Sequence, residues 1–377
     1  RGGHRRGVPG ARGVRVAVNL TWMAPGRVGG SEEYLTRQLM GLDDHEFEID
    51  LLCDAAVLEH HPALTERFNT TAMPFSGGHR IIRIGLEHSW LAMRARGAAV
   101  IHHGGGTVPM IGPGPIVLTI HDLQYRRFPQ YFGTVRHRYL DAMVPRSVER
   151  AAVVAVPTEF VRHEVVEAFG IDADRVVVVP HGVAATVRPS DEMIDVVRRR
   201  YGVADRNYVV YPAITHPHKG HRVLVDMMDH LDDSTALVLI GGEGAVEPDL
   251  ARAIAASPHR DRIARPGRVA HRDRDALIAD ADALVFPSEF EGFGAPAIEA
   301  MAFDTPVVCS AAEALVEVVG DAGILVRSPD GAAWADGVGA ARERRAELID
   351  RGRTRRQRFT DEVSGRAISD AYRRAAD

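Results

Sequence analysis

Cysteine is nearly absent from this chain: two occur among 377 residues, Cys53 in IDLLCD and Cys309 in PVVCS. Both lie in strand-like apolar runs far apart in sequence, which excludes a disulfide framework. A pair of buried, reduced thiols and a cytoplasmic setting are expected. No run approaches the roughly 18 apolar residues that a membrane-spanning helix needs. Surplus positive charge is missing too, since 46 Lys and Arg face 51 Asp and Glu for a net charge of -5. That balance gives no support to a nucleic-acid binder held by electrostatics. Neither HExxH nor paired CxxC occurs, so the 18 histidines do not read as a zinc site. No first strand leads into G-x-G-x-x-G with an acid about twenty residues on, which counts against an NAD(P)-dependent oxidoreductase. There is no internal repeat.

What remains is ordinary globular material, with 45% hydrophobic residues, 26% charged residues and 36 glycines. At about 150 residues per domain the length suggests two domains. The opening RGGHRRGVPGARG is basic and runs into one short strand with no apolar signal-peptide core between. Residues 1–13 are expected to be a flexible leader.

Short apolar runs then alternate with helical patterns. The first series is VRVAVNL (14–20), EIDLLCD (48–54), AAVIHH (98–103), IVLTIHD (116–122), AAVVAVP (151–157) and RVVVVPHG (175–182). The second is NYVVYPA (207–213), ALVLIGG (236–242), ADALVFPS (281–288), TPVVCS (305–310) and AGILV (322–326). Continuous apolar strands between helices mean parallel sheets covered on both faces. Two series predict an α/β protein of two doubly wound, Rossmann-like domains. The break is placed near 182–193, giving domains at 14–185 and 186–358 and a closing helix at 359–377. Thr360 is the expected N-cap of that helix, with Asp361 and Glu362 in its first turn.

Ligands of such sheets bind beyond the carboxyl ends of the strands. There, SEFEGFGAPAIEAM (288–301) makes a strand, a glycine turn and a helix with Pro296 at its start. Gly292 and Gly294 permit close ligand approach, and the free N–H groups of Phe293, Gly294 and Ala295 form an anion cradle. Glu291 and Glu299 bracket it. A carboxylate beside a phosphate needs donors to accept from, and sugar hydroxyls supply them. A nucleotide diphosphate sugar carries a ribose on one side of its diphosphate and a hexose on the other, one sugar for each acid. The blander alternative makes Glu291 a solvated loop acid and Glu299 a favourable first-turn acid.

The required cation is Lys219 in YPAITHPHKGH (211–221), acting as a point charge, with His216 and His218 as further donors. In the first half, APGRVGGSEEYLTRQL (24–39) is a second Gly-rich loop entering a helix. Gly29 and Gly30 precede Ser31, the expected N-cap. His121 and Asp122 stand at the end of the IVLTI strand, where a histidine can orient a reacting sugar. His102, His103 and Tyr125 are the remaining candidates on the acceptor side. The Asp-x-Asp triplets 172/174, 273/275 and 280/282 are read as structural, and no metal is expected. The segment DLQYRRFPQYFGTVRHRYL (122–140) mixes Tyr, Phe and Arg beside the cleft and is a candidate for an acceptor or a membrane surface.

FPSEFEGFGAPAIEAMAFDTPVVCS closely resembles the E-x7-E signature of family-four retaining glycosyltransferases, which have the GT-B fold. The similarity extends through GGSEEYLTRQL, LTIHD, VVAVPTEFVRHEV, VVVVPHGV, HKGH, LVLIGGEG and GRVAHRDRDALIADADALVFPS, in family order. The resemblance implies that Glu299 binds the donor's ribose, Glu291 a hydroxyl of the transferred sugar and Lys219 the diphosphate. Phe293, Gly294 and Ala295 lie against sugar and phosphate, Arg268 and Val269 receive the nucleobase, His121 meets the donor sugar and Gly30 the reacting centre. It also implies that the last helix crosses back onto the first domain. One departure is Ile214, where the family commonly has an arginine five residues before the lysine. The chain is similar in this to a subgroup with the YPA…HPHKGH form. The resulting expectation is transfer of a hexose, mannose above others, to a glycan, glycolipid or small acceptor. The donor is a nucleotide sugar such as GDP-mannose, with no metal and no other cofactor. A non-catalytic sugar-nucleotide binder is the competing reading.

Overall fold

The computed structural model describes residues 13–25, 30–43, 45–74, 85–184 and 187–377. Residues 1–12 of the expected leader lie outside them, as does Gly29.

Two parallel sheets form. The first runs β3-β2-β1-β4-β5-β6-β7, from β1 (Val14–Leu20), β2 (Phe47–Cys53), β3 (Asn69–Ala72), β4 (Val100–His103), β5 (Ile116–Thr119), β6 (Val153–Val156) and β7 (Val176–Val178). The second runs β10-β9-β8-β11-β12-β13, from β8 (Asn207–Pro212), β9 (Thr235–Ile240), β10 (Ile263–Gly267), β11 (Ala283–Phe286), β12 (Val307–Ser310) and β13 (Gly323–Val326). The registers are those of wound parallel pairs, such as Val16↔Ile49 and Val16↔Val100 around β1. Strands β4, β5, β6, β9 and β11 are buried along their whole length, because helices cover both faces.

Eleven of these strands are the apolar runs read from the sequence; β3 and β10 were not anticipated. Both are sheet edges, where one flank is solvated and an apolar run is not needed. NTTA has no large apolar side chain, and IARPG carries Arg265 and Pro266, a proline that an edge tolerates.

Cys53 and Cys309 are buried, free thiols, each pushed up to about 12 by burial. The helix Asp191–Arg200 starts on a Ser190 cap and buries Ile194 and Val197 in the second domain's core. Thr360 caps the last helix, Asp361–Ala376, by accepting from the Val363 N–H. That helix packs Ile368, Ala371, Tyr372 and Ala375 into the first domain's core beside Tyr34 and Leu39. It therefore ties the two ends of the chain together.

The order of each sheet reverses beside its first strand, between β1 and β4 and between β8 and β11. Crevices open at such reversals, outside the carboxyl ends of the strands. Here the two crevices belong to opposite walls of one interdomain cleft.

Candidate active site

Lys219 follows β8 and Glu291 follows β11, the two strands flanking the reversal of the second sheet. Their side chains meet, with Lys219 Nζ donating to Glu291 Oε1 at 2.5 Å and both less than one-fifth exposed. Lys219 also lies 5.9 Å from the ring of Phe286. The turn after β11 ends on Gly294 at φ 97°, a left-handed backbone that Gly adopts freely, and this residue opens the helix Ala295–Ala302. No side chain caps that helix, so its first N–H groups stay available at the cleft. Phe293 is buried, stacked on His181 at 5.4 Å and edge-on to Phe359 at 5.3 Å.

Glu299 projects from the same helix and pairs with Arg274 Nη1 at 3.4 Å. Burial pushes its carboxyl above the ordinary range, while Arg274 works against that shift. Arg274 is itself fixed by Asp275 at 3.1 Å. The sequence reading missed Arg274, although its place three residues into the Ala270-capped helix, one turn from the strand ends, was legible.

From the first domain come His121, Asp122 and Gly30. The His121 ring hydrogen-bonds the Gly104 carbonyl through Nε2 at 2.9 Å and meets Tyr34 edge-on at 5.3 Å and Trp22 at 6.1 Å. Burial lowers its pKa, so it is a neutral ring near pH 7. Asp122 accepts from the Gln124 N–H and feels both Glu291 and Lys219 across the cleft. Gly30 is the first residue of the helix Gly30–Met40, and Ser31 lies inside its first turn rather than at the cap. The two sides touch directly at Gly292. A Cβ there would stand 2.1 Å from the His121 carbonyl oxygen, and Thr158 Oγ1 donates to the Gly292 carbonyl at 3.0 Å.

Three acceptor-side candidates are corrected. His102 is buried, bridging Tyr372 Oη and Thr119 Oγ1 at 2.8 Å each. His103 is buried against the Asn19 amide at 3.1 Å. Both belong to β4, an interior strand, and stay below the cleft for that reason. Tyr125 is buried in the core beneath the helix Thr134–Arg150. The loop that carries it packs across to the second domain. Phe128 and Phe160 enclose Phe290 at 5.8 and 6.0 Å, and Arg127 reaches Glu313 at 3.2 Å. Beside this contact, the Glu317 carboxylate accepts from the N–H groups of Glu159 and Phe160 at 2.8 and 2.9 Å, capping a first-domain helix from the second domain.

His216 and His218 stack at 6.0 Å, and His218 is 6.3 Å from Tyr131. Burial, with Lys219 next to it, holds His218 at about 3, so it is no cation near neutrality. Arg268 and Val269 follow Gly267 at the end of β10, the edge of the second sheet. The aspartate triplets carry protein partners: Asp273 binds Arg200 and Tyr201, Asp275 binds Arg274, Asp280 binds Arg198, Asp282 binds Arg342, and Asp172 turns back on the Asp174 N–H. A cavity of about 900 Å³ lies elsewhere in the second domain, between the starts of the helices at His221 and Glu247 and the ends of β12 and β13; Lys219, Glu291 and Glu299 do not line it.

These histidines give the fold a pH dependence. Burial holds His102 and His103 at about 3 and His221 at about 4, against 6.5 for a free imidazole. The unfolded chain therefore binds more protons below pH 6.5, and stability is lost as the pH falls from there towards 3. Glu164, pushed by burial to about 7, acts in the opposite sense but is outnumbered. The urea midpoint is expected to fall steadily from pH 7 to pH 5; a flat or rising midpoint contradicts neutral burial.

The fold matches solved structures along nearly its whole length. Anabaena HepE in complex with UDP and glucose superposes with a TM-score of 0.75 at 20% identity, over 95% of this chain and 98% of that one. Sucrose-phosphate synthase from Thermosynechococcus elongatus gives 0.75 at 21% identity over 95% and 98%. Two parallel α/β domains facing each other across a cleft define a protein of GT-B architecture. The chain is assembled from two glycosyltransferase domains: residues 28–187 match the model of Glycosyltransferase Family 4, and residues 206–344 that of Glycosyl transferases group 1. The Escherichia coli O-antigen chain mannosyltransferase B is 31% identical over 220 residues, 57% of this chain and 58% of the relative. A D-inositol 3-phosphate glycosyltransferase of Xylanimonas cellulosilytica is 34% identical over 227 residues, 56% and 54%. The alignments thus span just over half the length of these relatives. Among the described residues, no helix is long and apolar enough to cross a membrane.

Proposed function

We propose that the protein is a retaining hexosyltransferase, moving mannose from a nucleotide diphosphate sugar to a hydroxyl of a glycan or glycolipid without a metal ion. The observation that carries this reading is the cluster at the second sheet's reversal. Glu291 and Glu299 stand at either side of an uncapped helix start, and Lys219 is within contact of Glu291. In this reading Glu299 accepts from the ribose hydroxyls, and Arg274 holds its carboxylate ready. The amides of Phe293–Ala295 and the ammonium of Lys219 take the diphosphate. Glu291 turns from Lys219 towards a hydroxyl of the transferred sugar as the phosphate claims the ammonium.

When the glycosidic bond breaks, negative charge grows on the diphosphate and positive charge on the sugar ring. Donors already aimed at the leaving oxygens stabilise that change without reorganising, which is ordinarily the largest single contribution to catalysis. The His121 side chain, held by Gly104, is a neutral hydrogen-bonding group for the donor sugar. No carboxylate is assigned as a covalent nucleophile, because Glu291 is engaged with a hydroxyl. The acceptor then attacks from the face that the diphosphate leaves. Two domains in contact through Gly292 and Phe290 keep water from competing. The names of the curated relatives, two O-antigen chain mannosyltransferases among them, support mannose and a glycan acceptor.

A panel of GDP-, UDP- and dTDP-sugars, scored by nucleotide release, tests the reading. Turnover of GDP-mannose is expected, whereas release from none of the panel sinks it. Glu299→Gln is expected to raise the donor KM about 10- to 100-fold with a much smaller change in kcat. The ribose contact is the same in ground and transition states, and a hydrogen bond to a charged group is worth about 1.5–3 kcal/mol.

A further inference from the structure

A nucleotide diphosphate brings at least two negative charges into the cleft, and Lys219 arrives already paired with Glu291. Three arginines stand at the carboxyl ends of the second sheet. Arg265 donates to the carbonyls of Leu239 and Gly241 and to Glu247 at 2.7 Å, below the strand ends. Arg274 is held by Asp275 and Glu299.

Arg268 is placed differently. It is exposed and follows β10, yet its guanidinium reaches sideways across the end of β9. A Cβ on Gly242 would stand 3.2 Å from Arg268 Nη2 and 3.3 Å from Ile214 Cγ1. The guanidinium and the Ile214 side chain therefore converge on one point above Gly242, at the end of β8, five residues before Lys219. The glycine leaves that space open.

We propose that the Arg268 side chain is the second cation on the donor diphosphate, reaching over Gly242 to the place beside Ile214. This rests on the cleft taking a nucleotide sugar, and it goes beyond that reading by giving Arg268 a phosphate rather than a base. The planar fork of a guanidinium suits two phosphate oxygens at once, where an ammonium offers only a point charge. Because residue 214 points to the same spot, an arginine there can supply the same charge from the neighbouring strand.

The test measures binding of UDP and GDP, with uridine and guanosine as competitors, to the wild type, Arg268→Ala and Arg268→Ala/Ile214→Arg. Arg268→Ala is expected to weaken nucleoside diphosphate binding about 10- to 100-fold and to leave nucleoside binding within a few-fold. The double variant is expected to regain most of the loss. Equal losses for diphosphate and nucleoside assign Arg268 to the base and overturn the proposal, as does unchanged binding or a double variant no better than the single one. A wild type that binds neither UDP nor GDP fails at the earlier step, the reading of the cleft, and takes this inference with it. Thermal unfolding of each variant is the folding control, since Arg268 is exposed.

Discussion

Lys219→Ala lowers kcat about 10²- to 10³-fold while the unfolding temperature stays within a few degrees of the wild type. The size follows from the work given to this ammonium, which faces charge that develops on the leaving diphosphate. Removing one preorganised donor of that kind typically costs two to three orders of magnitude. The small effect on folding follows from the setting. Lys219 and Glu291 are 19% and 14% exposed, so the carboxylate left behind has solvent to turn to. Nothing in the apolar core depends on the pair. Steady-state kinetics with GDP-mannose, together with a thermal melt, check both halves. A kcat within a few-fold of wild type removes Lys219 from the reaction, and a collapsed melt makes it a structural residue.

Gly292→Ala is expected to cost about 10²-fold in kcat/KM for a different reason. The added methyl would lie 2.1 Å from the carbonyl oxygen of His121, backbone against backbone across the cleft. No rotamer relieves such a clash, so the domains must move apart at the point where His121 and Glu291 approach one reacting centre. A misplacement of about 1 Å there suffices for a loss of that order. Contacts elsewhere resist the movement: Thr158 holds the Gly292 carbonyl, and Glu317 caps the first domain's helix. Donor affinity resides mainly on the second domain, so the Kd of the nucleotide should change far less than kcat/KM. Comparing the two quantities in the variant checks this. Wild-type catalysis would mean that the interdomain contact plays no part in chemistry.

The legible and illegible parts of this protein divide along physical lines. Interior strands of a parallel sheet must be apolar throughout, so β4, β6, β9 and β11 announce themselves. Edge strands carry no such demand, and NTTA and IARPG passed as loops. At the site, Glu291, Glu299 and Lys219 were readable because an acid beside an anion cradle, or a lysine before a glycine turn, is chemically pointed. Their pairings were not. That Lys219 meets Glu291 depends on β8 lying beside β11, and strand order is written in no local stretch. His102 and His103 misled for a related reason. They end an apolar run, as His121 follows one, but their strand sits between two others, with Tyr372 of the last helix against His102. Only the tertiary arrangement separates a histidine above the strand ends from one below them.

The most direct test of the central claim is a crystal structure with GDP, or with whichever nucleoside diphosphate the donor panel selects. The account predicts ribose hydroxyls on the Glu299 carboxylate, with the diphosphate against Lys219 and the amides of Phe293, Gly294 and Ala295. A nucleotide seated instead in the 900 Å³ cavity between the helices that begin at His221 and Glu247, with Glu291 still closed on Lys219, would contradict it.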